Sequence, residues 1–153
     1  MTHLRIEQVK GDAALEDWRH VHNLIVPPAA MDLDEVRERA VRHHLEVAYA
    51  GDELVGCSTV RPPTDESSTA TVIARVLPAH RNQGFGAELW TRGLDRARAL
   101  GAEVIETVVL ATNVEGLRFA LTRGFLEIER YVLPGDTVPY IDLRLAPARK
   151  VRR

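Results

Sequence analysis

The run Val76-Leu-Pro-Ala-His-Arg81-Asn-Gln-Gly84-Phe-Gly86-Ala87 joins a β-branched segment to an amphipathic one, and its reading decides the fold. Upstream, residues 69–77 read as a strand that stops at Pro78. Downstream, Leu89, Trp90, Leu94 and Ala97 recur at helical spacing over about 86–100, and Gly101 stands at the usual closing position. Gly84 and Gly86 permit a positive φ and a close backbone approach that a Cβ would obstruct. Successive N–H groups from about Asn82 to Ala87 can then converge on an anion at the positive end of the helix dipole. This is the chemistry of a diphosphate cradle.

Two familiar nucleotide loops do not fit it. A Walker loop would close on Gly-Lys-Ser/Thr, which is missing here. A dinucleotide fingerprint would need a third glycine where Leu89 stands, and would sit in a first strand–helix turn rather than after several elements.

Working outward, residues 4–9 alternate as a strand, and Ala14, Leu15, Trp18, Val21 and Ile25 mark a helix stopped by Pro27-Pro28. Asp32 and Glu35 form a capping-box start for a second helix through about His43. Residues 45–50 and 54–60 flank Gly51-Asp52-Glu53 as a hairpin, and 61–68 form a proline-braced polar loop. Residues 103–110 read as a strand, and 114–123 as a helix capped by Asn113 and ended by Gly124. Residues 126–132 and 138–145 make a closing β pair. The order β-α-α-β-β-β-α-β-α-β-β predicts one α/β (α+β) domain over 1–146, a mixed sheet with helices on both faces, followed by a basic tail at 147–153.

Composition bounds the function classes. The 153 residues suit one domain whose core needs no metal or disulfide staple. A net charge of −2 gives no basic field for nucleic acid. No segment is apolar and long enough to span a bilayer, no N-terminal apolar core suggests a leader, and the single Cys57 fits a reducing compartment; the expected location is the cytoplasm.

The pattern Arg81-x-x-Gly84-x-Gly86, preceded by Val-x-Pro, resembles motif A of the GCN5-related N-acetyltransferases, the GNAT superfamily. A second stretch, Asn113-Val-Glu-Gly-Leu-Arg-Phe119-Ala-Leu-Thr-Arg-Gly124-Phe125, is similar to that family's Asn-x-x-Ala/Gly … Phe-Tyr-x-x-x-Gly-Phe segment. With the element order, the resemblance covers nearly the whole chain and implies a mostly antiparallel sheet. It implies that Val76 offers backbone hydrogen bonds to the pantetheine arm of acetyl-CoA and that Arg81, Asn82, Gln83, Gly84, Phe85, Gly86 and Ala87 hold the pyrophosphate. It places Asn113 near the thiol end, where a plain helix cap is the other reading. The implied activity is transfer of an acetyl or other acyl group from acetyl-CoA (coenzyme A), with no metal, to the primary amine of a small molecule in a ternary complex. A homodimer is an assembly the resemblance allows.

The chain departs from the family where protons move. A tyrosine often used as the acid is replaced by Ala120, and habitual base positions correspond to Ala70, Val72 and Val108. Glu106 shares a strand face with Val108 and could act through one water, or could be an ion-paired strand-end carboxylate. Tyr131 and Tyr140 are alternative proton donors or packing residues. These vacancies motivate a second reading, a non-catalytic acyl-CoA-binding or regulatory module. His20, His22, His43 and His44 read as solvated helix histidines, His80 as a neighbour of the cradle or a surface residue. Cys57 reads as a buried thiol, and Asp65 and Glu66 as a polar turn with some reach for a cationic amine.

Overall fold

A computed structural model describes residues 3–147; residue 148 onward, which holds most of the basic tail, lies outside the described residues. Seven strands form one sheet: β1 (Leu4–Gln8), β2 (His44–Ala50), β3 (Glu53–Arg61), β4 (Thr69–Val76), β5 (Val104–Leu110), β6 (Phe125–Tyr131) and β7 (Tyr140–Leu145). Four helices connect them: α1 (Gly11–Ile25), α2 (Leu33–Arg42), α3 (Phe85–Ala99) and α4 (Val114–Thr122). The element order is the one the sequence predicts. The spatial order is β1-β2-β3-β4-β5-β7-β6, with β7 inserted between β5 and β6. Every pairing is antiparallel except β4 with β5.

Local signals behave as expected. Pro27 ends α1 in a short 3₁₀ turn. Asp32 and Glu35 make both halves of the capping box of α2, at 2.9 and 3.2 Å.

The sheet divides two apolar layers. On one face α1 and α2 bury Trp18, Val21 and Val36 against Leu45, Val47 and Cys57. On the other, α3 and α4 bury Leu89, Trp90 and Ala120 against Val60, Ala70, Val72, Phe125 and Ile141. Trp90 meets Phe125 edge to face at 4.9 Å. Strand alternation therefore sends Ala70, Val72, Ala74 and Val76 toward α3, and Thr71, Ile73 and Arg75 toward α1.

The parallel pair is short. It runs from Thr69↔Val104 to Thr71↔Glu106, and then β4 and β5 separate. α3 is held close to the sheet beside that opening because Gly93 has no side chain. A Cβ there would lie 2.6 Å from Val72 Cγ1, a contact that a stiff β-branched neighbour cannot relieve. Gly93→Val should therefore destabilise the fold by about 2 kcal/mol through overpacking, read as a melting temperature lower by roughly 4–8 °C.

Candidate functional site

A cleft of about 490 Å³ opens where β4 and β5 part, and it runs from the α1 face to the start of α3. Its walls follow from hydrogen-bond alternation. Leu77 N–H donates to Val55 O at 2.8 Å, so Leu77 and Arg75 direct their backbone groups to β3 while Ala74 and Val76 direct theirs into the gap. Ala111 N–H donates to Pro139 O at 2.9 Å, so Val108 and Leu110 face the gap from the other side. Past Thr71 and Glu106, these edges have no strand partner. A ligand with an amide-bearing arm can supply one.

At the end of the gap lies the glycine loop. Gly84 adopts φ 84° and Asn82 φ 65°, which turns the chain sharply into α3. The first hydrogen bond into that helix is Glu88 N–H to Gly84 O, so Phe85, Gly86 and Ala87 keep three N–H groups free of helix partners. No side chain caps them. Nothing lies within 4 Å of a Cβ built on Gly84, and one on Gly86 would meet Phe119 at 3.4 Å and Val76 Cγ2 at 3.6 Å. Open donors, a positive helix end and clear space fit an anionic diphosphate.

The side chains here divide their work. Phe85 points into the core with Ala48, Val55 and Leu89, so only its backbone faces the loop. The Arg81 guanidinium donates to Val76 O at 3.0 Å and to Glu115 Oε2 at 3.2 Å, tying the loop to β4 and α4. Asn82, Gly84, Gly86 and Ala87 line the cleft; Gln83 does not. Asn113 also lines it while its Oδ1 accepts from Gly116 N–H at 3.1 Å, so it is both helix cap and wall. Gly116 has to be small, because its Cβ would sit 2.5 Å from Asn113 Nδ2.

The structure separates the residues proposed for proton transfer. Glu106 does not line the cleft; Arg144 Nε and Nη2 hold its Oε2 at 2.9 and 2.6 Å, so the ion-paired reading holds. Tyr131 donates to Asp142 Oδ1 at 2.9 Å, and burial with that carboxylate pushes its hydroxyl up to about 12. Tyr140 stacks beside Tyr131 at 6.0 Å, packs with Val26 and Leu110, and has a buried hydroxyl without a partner. Burial raises Tyr140 first; Asp136 adds to that and Arg75 opposes it.

Of the habitual base positions, Val108 lines the cleft, as does Ala120 at the acid position, but Ala70 and Val72 are turned into the core under α3. Farther along β4, Ile73, Ala74, Arg75 and Val76 all line it. Sequence reading missed Arg75. Its signal was an arginine at an inward position of an otherwise uncharged strand, and it was lost because only positions 70 and 72, on the other face and before the strands part, were weighed as side-chain positions on β4. Arg118 and Arg123, also in the wall, were missed as ordinary helix-surface charges.

The histidine reading needs correction. His20 is exposed, but His22 is 3% exposed, stacked on Trp18 at 5.1 Å, with Nδ1 3.0 Å from Asn23 Oδ1. Burial, then Arg75, lowers it to about 4, against the Asn23 bond and with help from Arg39 and Arg61. His43 is likewise lowered to about 4 by burial and by Arg61, Arg39 and Arg42. His44 approaches Glu46 at 3.2 Å, and His80 lines the cleft 3.4 Å from Glu53. Cys57 is fully buried, its thiol pushed up to about 12. Asp65 and Glu66 sit in an exposed turn closed by the Thr64↔Ser67 bridge. Among the described residues, no group of three His, Cys, Asp or Glu side chains is placed to hold a metal ion, and no helix is long and apolar enough to cross a membrane.

Comparison with known proteins agrees with this architecture. The model of the acetyltransferase (GNAT) family matches residues 12–125. Mycothiol acetyltransferase of Kocuria rhizophila is 29% identical over 111 residues, which are 69% of this chain and 35% of that protein. The chain thus spans about a third of that relative's length. An acetyltransferase of Bacillus subtilis, solved in complex with CoA, superimposes with a TM-score of 0.69 at 24% identity, covering 94% of this chain and 98% of the other. A ribosomal-protein-alanine N-acetyltransferase of Brucella melitensis gives 0.70 at 18% identity, covering 92% and 98%.

The neutral, buried His22 makes stability depend on pH. Its folded value lies below its unfolded one, so its contribution is complete above about pH 6.5 and is lost as pH falls toward 4. Between pH 7 and 5 the loss amounts to up to about 2 kcal/mol. Denaturant midpoints at the two pH values should differ less in His22→Gln than in the wild type.

Proposed function

Because the chain belongs to the acetyltransferase (GNAT) family, we propose that it transfers an acetyl group from acetyl-CoA to the primary amine of a small molecule. The observation that carries this reading is the continuity of the β4–β5 gap with the open N-terminus of α3. That gap suits a pantetheine arm with its diphosphate at one end and its thioester between the strands.

Each residue then has a defined task. Backbone N–H groups of Phe85, Gly86 and Ala87 bind the diphosphate, and Arg81 keeps their loop in place by holding Val76 O and Glu115. The free backbone groups of Ala74 and Val76 orient the arm, and of these only the N–H groups can donate to the carbonyl oxygen as it gains charge, since Val76 O is held by Arg81. The amine nitrogen attacks the thioester carbon, the C–N bond forms, and the C–S bond breaks. The proton that the nitrogen sheds goes to the departing sulfur. Tyr140 stands behind the lining residues Val26 and Leu110, and its buried hydroxyl, which has no other partner, is the donor assigned to relay that proton. Arg75 lines the same cleft, and its positive charge favours negative charge on the sulfur or on the carbonyl oxygen. Water takes up the proton that converts an ammonium to the attacking amine, as Glu106 is occupied by Arg144. Correct positioning of the reactants supplies much of the acceleration.

Thiol release from acetyl-CoA across a panel of amines tests the reaction. Acceptor-dependent release is expected, and it should vanish in Gly86→Trp together with the rise in melting temperature that acetyl-CoA gives the wild type. Stabilisation by acetyl-CoA without release for any amine would instead favour the binding module that the apolar Val108 and Ala120 suggest. For the proton relay, Tyr140→Phe should lower kcat by roughly 10²–10⁴-fold while KM for acetyl-CoA changes little. An unchanged kcat would remove Tyr140 from the relay.

A further inference from the structure

Arg39 from α2, Arg61 from β3 and Arg75 from β4 meet on the sheet face that α1 covers. By register and alternation Arg61 and Arg75 share with Cys57 the face of β3 and β4 on which α1 and α2 pack, and the charge of Arg39 on α2 acts on both. All three are partly buried, and the Nε atoms of Arg39 and Arg61 are buried with no hydrogen-bond partner. None of the ion pairs formed among the described residues includes any of them. The carboxylates they do feel are engaged elsewhere. Asp142 accepts from Tyr131, Glu35 closes the capping box, and Glu38 is 3.6 Å from Arg42.

Such a cluster is costly to assemble. Burial removes water from each guanidinium, like charges add repulsion, and no protein anion returns the loss. Elsewhere this chain meets the same demand directly. Buried Glu46 receives Arg92 through two bonds, at 2.8 and 3.0 Å, and those bonds with His44 outweigh its burial and hold it below the usual carboxylate range. Here, by contrast, Arg75 has the neutral Cys57 thiol as its hydrogen-bond partner, and none of the three arginines is answered by a carboxylate of its own. The cluster is also next to the cleft, because Arg75 belongs to both the cluster and the cleft wall.

Given the transferase reading above, we propose that the amine acceptor carries an anionic oxygen group, a carboxylate or a phospho-oxyanion, which Arg39, Arg61 and Arg75 receive. An anion held there leaves the amine of the same small molecule at the β4–β5 opening. The acceptors are then amino acids or aminophosphonates rather than simple alkylamines. Planar guanidinium forks match both kinds of anion.

The site is read without catalysis through product-like probes. In the presence of CoA, melting temperatures are followed against N-acetyl amino acids, the matching amides, and N-acetylaminomethylphosphonate. At least one acid or the phosphonate should stabilise saturably and bind about 10- to 100-fold more tightly than its amide. Which of the two anions does so identifies the group. In Arg39→Gln and Arg61→Gln that preference should fall toward unity while the shift produced by CoA itself stays, which separates loss of the site from loss of the fold. Amides that stabilise as well as acids, or an acid preference that survives both substitutions, would overturn the proposal. Arginine-dependent acid binding with no thiol release for any amine would remove the transferase reading and leave the anion site standing. Thiol release that favours neutral amines over their amino-acid counterparts would do the reverse.

Discussion

Three residue steps of parallel pairing, ended at Thr71 and Glu106, are the constraint on which the site depends. A parallel pair is ordinarily continued because each backbone N–H and C=O in a sheet needs a partner. Here β3 satisfies one edge of β4 to its end and β7 satisfies β5, so the two strands can part without either losing its place. What remains between them is a slot edged by main-chain donors and acceptors. It is bounded at one end by the N–H groups of α3 and at the other by α1. The close seat of α3, permitted by Gly93 against Val72, sets where those groups stand relative to the slot.

Charge is distributed about this slot in two ways. Near the glycine loop, Arg81 has its acid in Glu115, and the loop presents only backbone dipoles. On the α1 side, Arg39, Arg61 and Arg75 have no acid among the described residues, and their field with burial keeps His22 and His43 neutral. Those neutral rings add no further positive charge. In the proposed reading, fold stability and acceptor recognition would draw on the same cluster, since the cations that make the face costly to assemble are the ones an anion would offset.

Much of this was legible in the chain. Helices and strands appeared where Trp18, Val21, Leu89 and Ala97 set a helical period and where β-branched runs alternate, because those periods are local. The capping pair Asp32 and Glu35 and the turn at Gly84 were legible for the same reason. Reading failed where a position's meaning depended on facing. Ala70 and Val72 were placed at the working surface, although they are packed under α3. For Glu106 the sequence left two readings, a base acting through water and an ion-paired carboxylate, and it is Arg144, directly opposite on β7, that holds it. A one-residue choice of face reverses every side chain of a strand, and on β4 it exchanges Ala70, Val72, Ala74 and Val76 for Thr69, Thr71, Ile73 and Arg75.

The sequence by itself determined the order of elements, the glycine turn that opens α3 and the family to which both point. It could do so because periodicity, capping and positive φ are settled within a few residues of each other. Tertiary structure alone decided where β4 leaves β5, that β7 lies between β5 and β6, and that Tyr140 keeps a buried hydroxyl without a partner. It also gathered arginines from positions 39, 61 and 75 onto one face. Charges so far apart in the chain meet only through the register of β3 on β4 and the packing of α2, and neither leaves a local mark in the sequence.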